Sequence, residues 1–183
     1  PLAVAPSAIK APISPFRPRE MSARKILRTI DAYVRAATLA RKAGYDGVEI
    51  MGSEGYLINQ FIAPATNQRT DRWGGSFENR IRFAIEIVRQ VRNAVRSDFM
   101  IIYRLSMLDL MPGGSSWAEV VALACAVEQG DDKQDQAAHR EHRSRQEEAR
   151  DDAELAQIAA TPERRATSRG GLRWVVLAAP IWQ

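Results

Sequence analysis

Apolar residues recur along this chain with two different periods. Between positions 23 and 43, Ile26, Leu27, Ile30, Val34, Ala37, Leu39 and Ala40 mostly fall three or four apart. That spacing lines one side of an α-helix. Ser22 can accept a first-turn N–H, and Gly44 can take the left-handed conformation that ends a helix, so the pattern predicts a helix from about Ala23 to Ala43. A second stripe, Ile81, Ala84, Ile85, Val88, Val91 and Val95, follows Ser76 and predicts a helix to about Arg96. Ser116-Trp-Ala-Glu119 has the capping-box spacing and opens a third helix to about Gln129, with Gly130 as its stop. Two short runs, Tyr45 to Met51 and Phe99 to Leu105, read as strands, the second almost continuously apolar as in a buried parallel sheet. Glu49 lies inside the first strand and needs a partner if it is buried.

Two strands separated by a helix of this length pair in parallel with a right-handed crossover. In a parallel α/β protein, chemistry sits at the carboxyl ends of the strands. The long loop from Gly52 to Gly75 leaves the first strand at that end and carries Glu54 and Tyr56. Ordered loops of that length are usually functional. Upstream, Pro1, Pro6, Pro12, Pro15 and Pro18 remove backbone donors, so residues 1–20 read as an extended loop rather than helix or sheet.

After Gly130 the periodicity stops. Of the 22 residues 131–152, 13 are charged and none is Val, Ile, Leu, Met or aromatic. Such a stretch lacks the apolar surface to offset its ordering entropy, although its Ala, Glu, Gln and Arg favour a solvated helix. It is expected to lack tertiary packing. Residues 153–173 are Ala/Arg-rich, and Leu172 to Trp182 is a short apolar end, too short to span a membrane.

Composition changes this picture little. The 183 residues suit one domain, and the net charge of +4 divides unevenly. Residues 1–130 hold 17 Lys+Arg against 12 Asp+Glu, and residues 131–183 hold 9 against 10. The tail is therefore not a basic nucleic-acid-binding arm, and no nucleic-acid or membrane partner is expected. A start at Pro1 without a signal pattern reads as a piece of something longer or a processed product. The single cysteine, Cys125, excludes an intrachain disulfide and, among Leu123, Ala124, Ala126 and Val127, reads as a small buried hydrophobe. A reducing, cytoplasmic location is expected. His139 and His142 are the only histidines, and two ligands do not close a metal site, so no metal is expected.

The stretch Gly44-Tyr-Asp-Gly-Val-Glu-Ile50, then Gly55-Tyr-Leu57, then Asn67-Gln-Arg-Thr-Asp-Arg-Trp-Gly-Gly-Ser-Phe-Glu-Asn-Arg80, resembles the Old Yellow Enzyme family of flavin oxidoreductases. Within it, Ile50-Met51-Gly52-Ser53-Glu54-Gly55-Tyr56 is most similar to the bacterial 2,4-dienoyl-CoA reductases, where many relatives instead carry histidine at the positions of Met51 or Glu54. The resemblance covers roughly residues 3–130. It implies an α/β fold that is a fragment of a (β/α)8 TIM barrel, about two βα units plus a preceding helix where the whole barrel takes roughly 250 residues. Residues 1–130 are then a partial FMN-binding barrel domain, and 131–183 a non-homologous tail of unknown role, disordered or helical. The two expected strands leave their outer edges and one face open, so residues 1–130 alone are expected to be poorly soluble or oligomeric.

The resemblance also assigns roles. The implied reaction is hydride transfer from reduced FMN to a 2,4-dienoyl-CoA thioester, with NADPH as electron source and Tyr56 as proton donor. The alternative for Tyr56 is a packed side chain with a satisfied hydroxyl. Glu54 either orients Tyr56 and tunes its proton affinity or is a solvated loop carboxylate. Arg104, ending the second strand, either lies against the FMN pyrimidine edge or pairs with a carboxylate such as Glu49. Asn67, Arg69, Asp71 and Arg72 read as loop-organising. Full-length relatives add a 4Fe-4S cluster and an FAD module, whose motifs are absent here, as are a later Trp-His segment and the FMN-phosphate loops. The competing reading is therefore a non-catalytic product: a truncated or frame-shifted chain, or a fragment with an interaction tail. The oligomeric state is open.

Overall fold

The computed structural model describes residues 3–12, 14–109 and 111–130, and the backbone of 174–177. Strand β1 (Val4–Ala5) pairs in parallel with β2 (Arg19–Glu20). Helix α1 (Ala23–Lys42) follows, then β3 (Gly47–Gly52), α2 (Leu57–Ile62), α3 (Phe77–Val95) and β4 (Met100–Leu105). A further helix, α4, spans 117–130, and β5 is Trp174–Leu177.

The three predicted helices form, with the expected caps. Ser22 accepts from the Lys25 N–H and Ser76 from the Asn79 N–H. At α4 the capping box closes both ways, Ser116 N–H to the Glu119 carboxylate at 3.0 Å and Glu119 N–H to Ser116 Oγ at 3.3 Å. Gly44, at φ 80°, follows the end of α1. The apolar stripes are less exact. Leu27 and Leu39 lie on the exposed flank of α1, while Tyr33 is buried.

β3 and β4 pair in parallel, Gly47 opposite Met100 through Gly52 opposite Leu105. The two-residue alternation of strands puts Val48, Ile50, Ile101 and Tyr103 on one face and Glu49, Met51, Ile102 and Arg104 on the other. α1 and α3 cover the first face, where Val48 and Ile50 are fully buried with Ile26, Ile30, Ile87 and Val88. Beside it, Phe61 packs on Phe83 at 4.4 Å between ring centroids, and Trp73 meets Phe83 edge-on at 6.5 Å. The second face, which would look into a barrel, is open: Met100 and Ile102 are exposed.

Four expectations need correcting. Residues 1–20 do contribute a sheet, β1 with β2, confined to two residues on each side because the neighbouring prolines lack N–H donors. The loop from Gly52 to Gly75 contains the short helix α2. Cys125 is exposed, because α4 buries Val120 and Leu123 and turns Cys125 away from them. The tail is not wholly helical or unstructured, since β5 pairs in parallel with β3. The β3 edge is thus filled from within the chain rather than left open. Residues 131–152, with His139 and His142, lie outside the described residues.

Candidate functional site

The carboxyl ends of β3 and β4 lie side by side, Met51 opposite Arg104. Arg104 projects onto the open face of the sheet and meets Glu49 of the neighbouring strand. Its Nε lies 2.9 Å from Glu49 Oε1, outside hydrogen-bond alignment, and its Nη2 donates to Oε2 at 3.3 Å. The Glu54 carboxylate stands farther off, 3.9 Å from Nη1. The Arg104 side chain remains 47% exposed against 17% for Glu49, so the pair neutralises the partly buried acid and still leaves guanidinium donors facing outward. The partner that Glu49 requires is present, and it is the very arginine with a proposed second role.

Beyond β3 the chain turns sharply. Glu54 has φ 58° and Gly55 φ 74°. The left-handed region costs a side-chain-bearing residue about 1 kcal/mol or more. Glu54 is held there by its own N–H, which donates to Ser106 Oγ just past β4 at 2.9 Å. Gly55 N–H donates to Asn59 Oδ1 at 2.7 Å. The turn delivers Tyr56 to the N-cap of α2, with φ −70° and ψ 169°. Tyr56 N–H donates to the Ser53 carbonyl, and its own carbonyl accepts from Gln60 N–H. Tyr56 is half-buried, and among the described residues no hydrogen bond ties its hydroxyl. No hydrogen bond joins Glu54 to Tyr56 among the described residues. The Glu54 side chain is exposed and nearer to Arg104.

The loop after β4 closes the corner. Asp109 accepts from Ser115 N–H at 2.8 Å and from Asn59 Nδ2 at 3.5 Å, which links it to α2. Ala65 N–H donates to the Gly113 carbonyl. Ser106, Asn59 and Asp109 were not singled out from sequence. Each is a common loop or helix residue, and only the pairing of β3 with β4 brings them together.

The loop-organising reading of 67–75 holds. Arg69, 8% exposed, donates from Nη1 to the Pro6 carbonyl at 2.9 Å, the Met21 carbonyl at 2.7 Å and Glu20 Oε1 at 3.0 Å. Its Nε and Nη2 grip Asp71 at 2.9 and 2.5 Å. The bond from Arg69 holds the Asp71 carboxyl below its ordinary range, and the bond to Asp71 raises Arg69 in turn. Asn67 Nδ2 donates to the Phe61 and Trp73 carbonyls. Arg72 stacks over the Trp73 ring at 5.0 Å. A Cβ on Gly74 would stand 2.6 Å from Arg69 Cβ and 2.7 Å from the Arg69 carbonyl oxygen, so the loop closes only over glycine.

No group of three or more metal-ligating side chains exists among the described residues. No described helix is long and apolar enough to cross a membrane. Burial pushes the Tyr103 hydroxyl up; Tyr103 lies on the helix-covered face of the sheet, with its hydroxyl in the space a Cβ on Gly52 would need at the end of β3.

The profile of the NADH:flavin oxidoreductase / NADH oxidase family matches residues 2–166, running past Gly130. A "metal reductase" of Desulforamulus reducens is 44% identical over 126 residues, which is 69% of this chain and 19% of that protein. Among solved structures, a 2-naphthoyl-CoA reductase in complex with 2-naphthoyl-CoA superposes with a TM-score of 0.67 at 41% identity, covering 69% of this chain and 19% of its own. An Old Yellow Enzyme homologue from Zymomonas mobilis gives a TM-score of 0.64 at 35% identity over 70% of this chain and 39% of its own. The chain spans about a fifth of the length of the first of these relatives.

Proposed function

The chain belongs to the NADH:flavin oxidoreductase / NADH oxidase family, and from that premise we propose that its β3–β4 corner is the proton-donor and flavin-edge part of a reductase of conjugated acyl-CoA thioesters. The observation that carries this is the placement of Tyr56 and Arg104 at the carboxyl ends of two adjacent parallel strands. The 2,4-dienoyl-CoA thioesters are the proposed substrates. A structural neighbour that is a CoA-thioester reductase with its substrate bound supports this class.

The residues present fit one edge of the flavin. Arg104 keeps N–H donors free on the open face, suited to the electron-rich N1–C2=O edge of a pyrimidine ring. Glu49 holds that guanidinium at the β3–β4 seam. When bound, FMN would supply the hydride, with NADPH as the source of its electrons. Tyr56 would donate the balancing proton from an untethered hydroxyl, and a phenol there can act as a general acid without first breaking a hydrogen bond. Glu54, in its strained turn, adds a negative charge near Arg104 and moderates the positive field at the corner. No phosphate-holding cluster accompanies the corner among the described residues, and family barrels usually build theirs from the loops after strands seven and eight.

A second reading has its own support. The inner face of the sheet is open, and the chain spans 19% of the metal reductase and of the naphthoyl-CoA reductase. By itself the chain then carries half of a site and does not turn over. The experiment that separates the parts grafts residues 3–130 into the barrel of a full-length relative and compares the graft with its Tyr56→Phe form. With Tyr56 as proton donor, Tyr56→Phe slows dienoyl-CoA reduction by about 100-fold or more while NADPH still reduces the flavin at the parent rate. Equal dienoyl-CoA rates in both grafts would remove Tyr56 from the chemistry. The ungrafted chain is expected to purify without stoichiometric FMN, and one flavin per chain would contradict the half-site reading.

A further inference from the structure

β3 and β4 differ in what their backbones need. Val48 and Ile50 of β3 are 0% exposed, and Gly47 and Gly52 are buried as well. β4 alternates exposed and half-buried residues along its whole length. Water can satisfy unpaired groups along the outer edge of β4. β3 lies between β4 and β5 and is buried with both seated, and an N–H or C=O left unpaired under that cover would cost about 1–3 kcal/mol. β5 meets that need: Gly47, Val48, Glu49 and Ile50 stand opposite Trp174, Val175, Val176 and Leu177 in parallel register. The family's similarity ends at residue 166, before this strand begins. In a parallel barrel this edge belongs to the strand that precedes β3 in sequence.

We propose that the outer edge of β3 is an acceptor for a parallel strand, and that residues 174–177 of the same chain occupy it as a plug. The plug converts a six-residue edge into a four-residue one, and very short edge strands are a known defence against edge-to-edge association. It competes with any other strand for the same backbone groups. Joining this chain to further barrel strands in trans therefore requires the plug to leave, or must proceed through β4. Among the described residues the register runs as far as Ile50 opposite Leu177, two positions short of the carboxyl end of β3 beside the candidate site.

The test uses the full chain in a Cys125→Ser background. Glu49→Cys is combined with Val176→Cys, its register partner, or with Trp174→Cys, two residues away. A two-residue slip moves the Cα atoms to about 8 Å apart, beyond the reach of an unstrained disulfide. Under mild oxidation the registered pair should cross-link at least tenfold faster than the slipped pair. No cross-link, or equal rates, would overturn the pairing. Val175→Pro with Val176→Pro, which removes the plug's donors, should let a labelled peptide of residues 171–183 bind in trans. The cross-linked protein should not bind it. Binding to both forms, or to neither, would show that the β3 edge is not an acceptor governed by this strand.

Discussion

Two clusters of charge in this chain are built on opposite plans. In the bracket around Arg69, the guanidinium is almost wholly buried, and five hydrogen bonds use its three nitrogens. In the corner around Arg104, the guanidinium is half-exposed, holds one carboxylate, and sits beside a strained turn and an untethered tyrosine hydroxyl. The bracket joins β1, β2, the start of α1 and the 67–75 loop. Two of its bonds go to the Pro6 and Met21 carbonyls and three to the carboxylates of Glu20 and Asp71. The corner keeps donors unspent, and strain stored at a mouth of this kind is how functional sites differ from scaffolding.

The comparison can be broken most forcefully at Arg69. Arg69→Ala leaves the Pro6 and Met21 carbonyls and Asp71 without their cation and should destabilise by about 3–5 kcal/mol, read from the midpoint of urea unfolding. Asp71 adds a pH dependence. Its folded pKa is lowered from 3.8, so its contribution is present above pH 3.8 and is lost as pH falls through the lowered value. That acid-linked loss of stability should shrink in Arg69→Ala, where the Trp73 N–H still bonds the carboxylate. If the variant keeps wild-type stability and acid response, the bracket is not what anchors the N-terminal segment.

Gly74→Ala should cost less, about 1–3 kcal/mol, because the added methyl meets the Arg69 backbone and must push the loop apart. A melting temperature within a degree of wild type would mean the loop gives way freely. At the corner the sign should reverse. Glu54→Gly removes a side chain from the left-handed region and should stabilise by up to about 1 kcal/mol, and a loss of that size would contradict the strain. Smallest of all, Tyr56→Phe should change stability by less than about 0.5 kcal/mol, since its hydroxyl has no described hydrogen bond to lose. A larger loss would return Tyr56 to a structural role.

The sequence by itself determined the elements whose causes are local. Caps at Ser22, Ser76 and Ser116 and stripes at helical spacing located α1, α3 and α4 to within a residue or two, because capping and periodicity act over one or two turns. The segment from Gly44 to Arg80 was enough to place the chain in its family, and the apolar runs Tyr45 to Met51 and Phe99 to Leu105 set Tyr56 in the loop past one strand and Arg104 at the end of the other. Tertiary structure alone decided the rest. Arg69 reads as an ordinary loop arginine until Pro6 and Met21, some sixty and fifty positions earlier, are folded against it. Glu49 and Arg104 meet only because β3 and β4 adopt one register. β5 reads as a short apolar end with no stated partner, since a strand's local pattern says that it can pair and not with which edge. That choice is made where β3, already paired with β4 and covered on one face by α1 and α3, offers its second edge in parallel register.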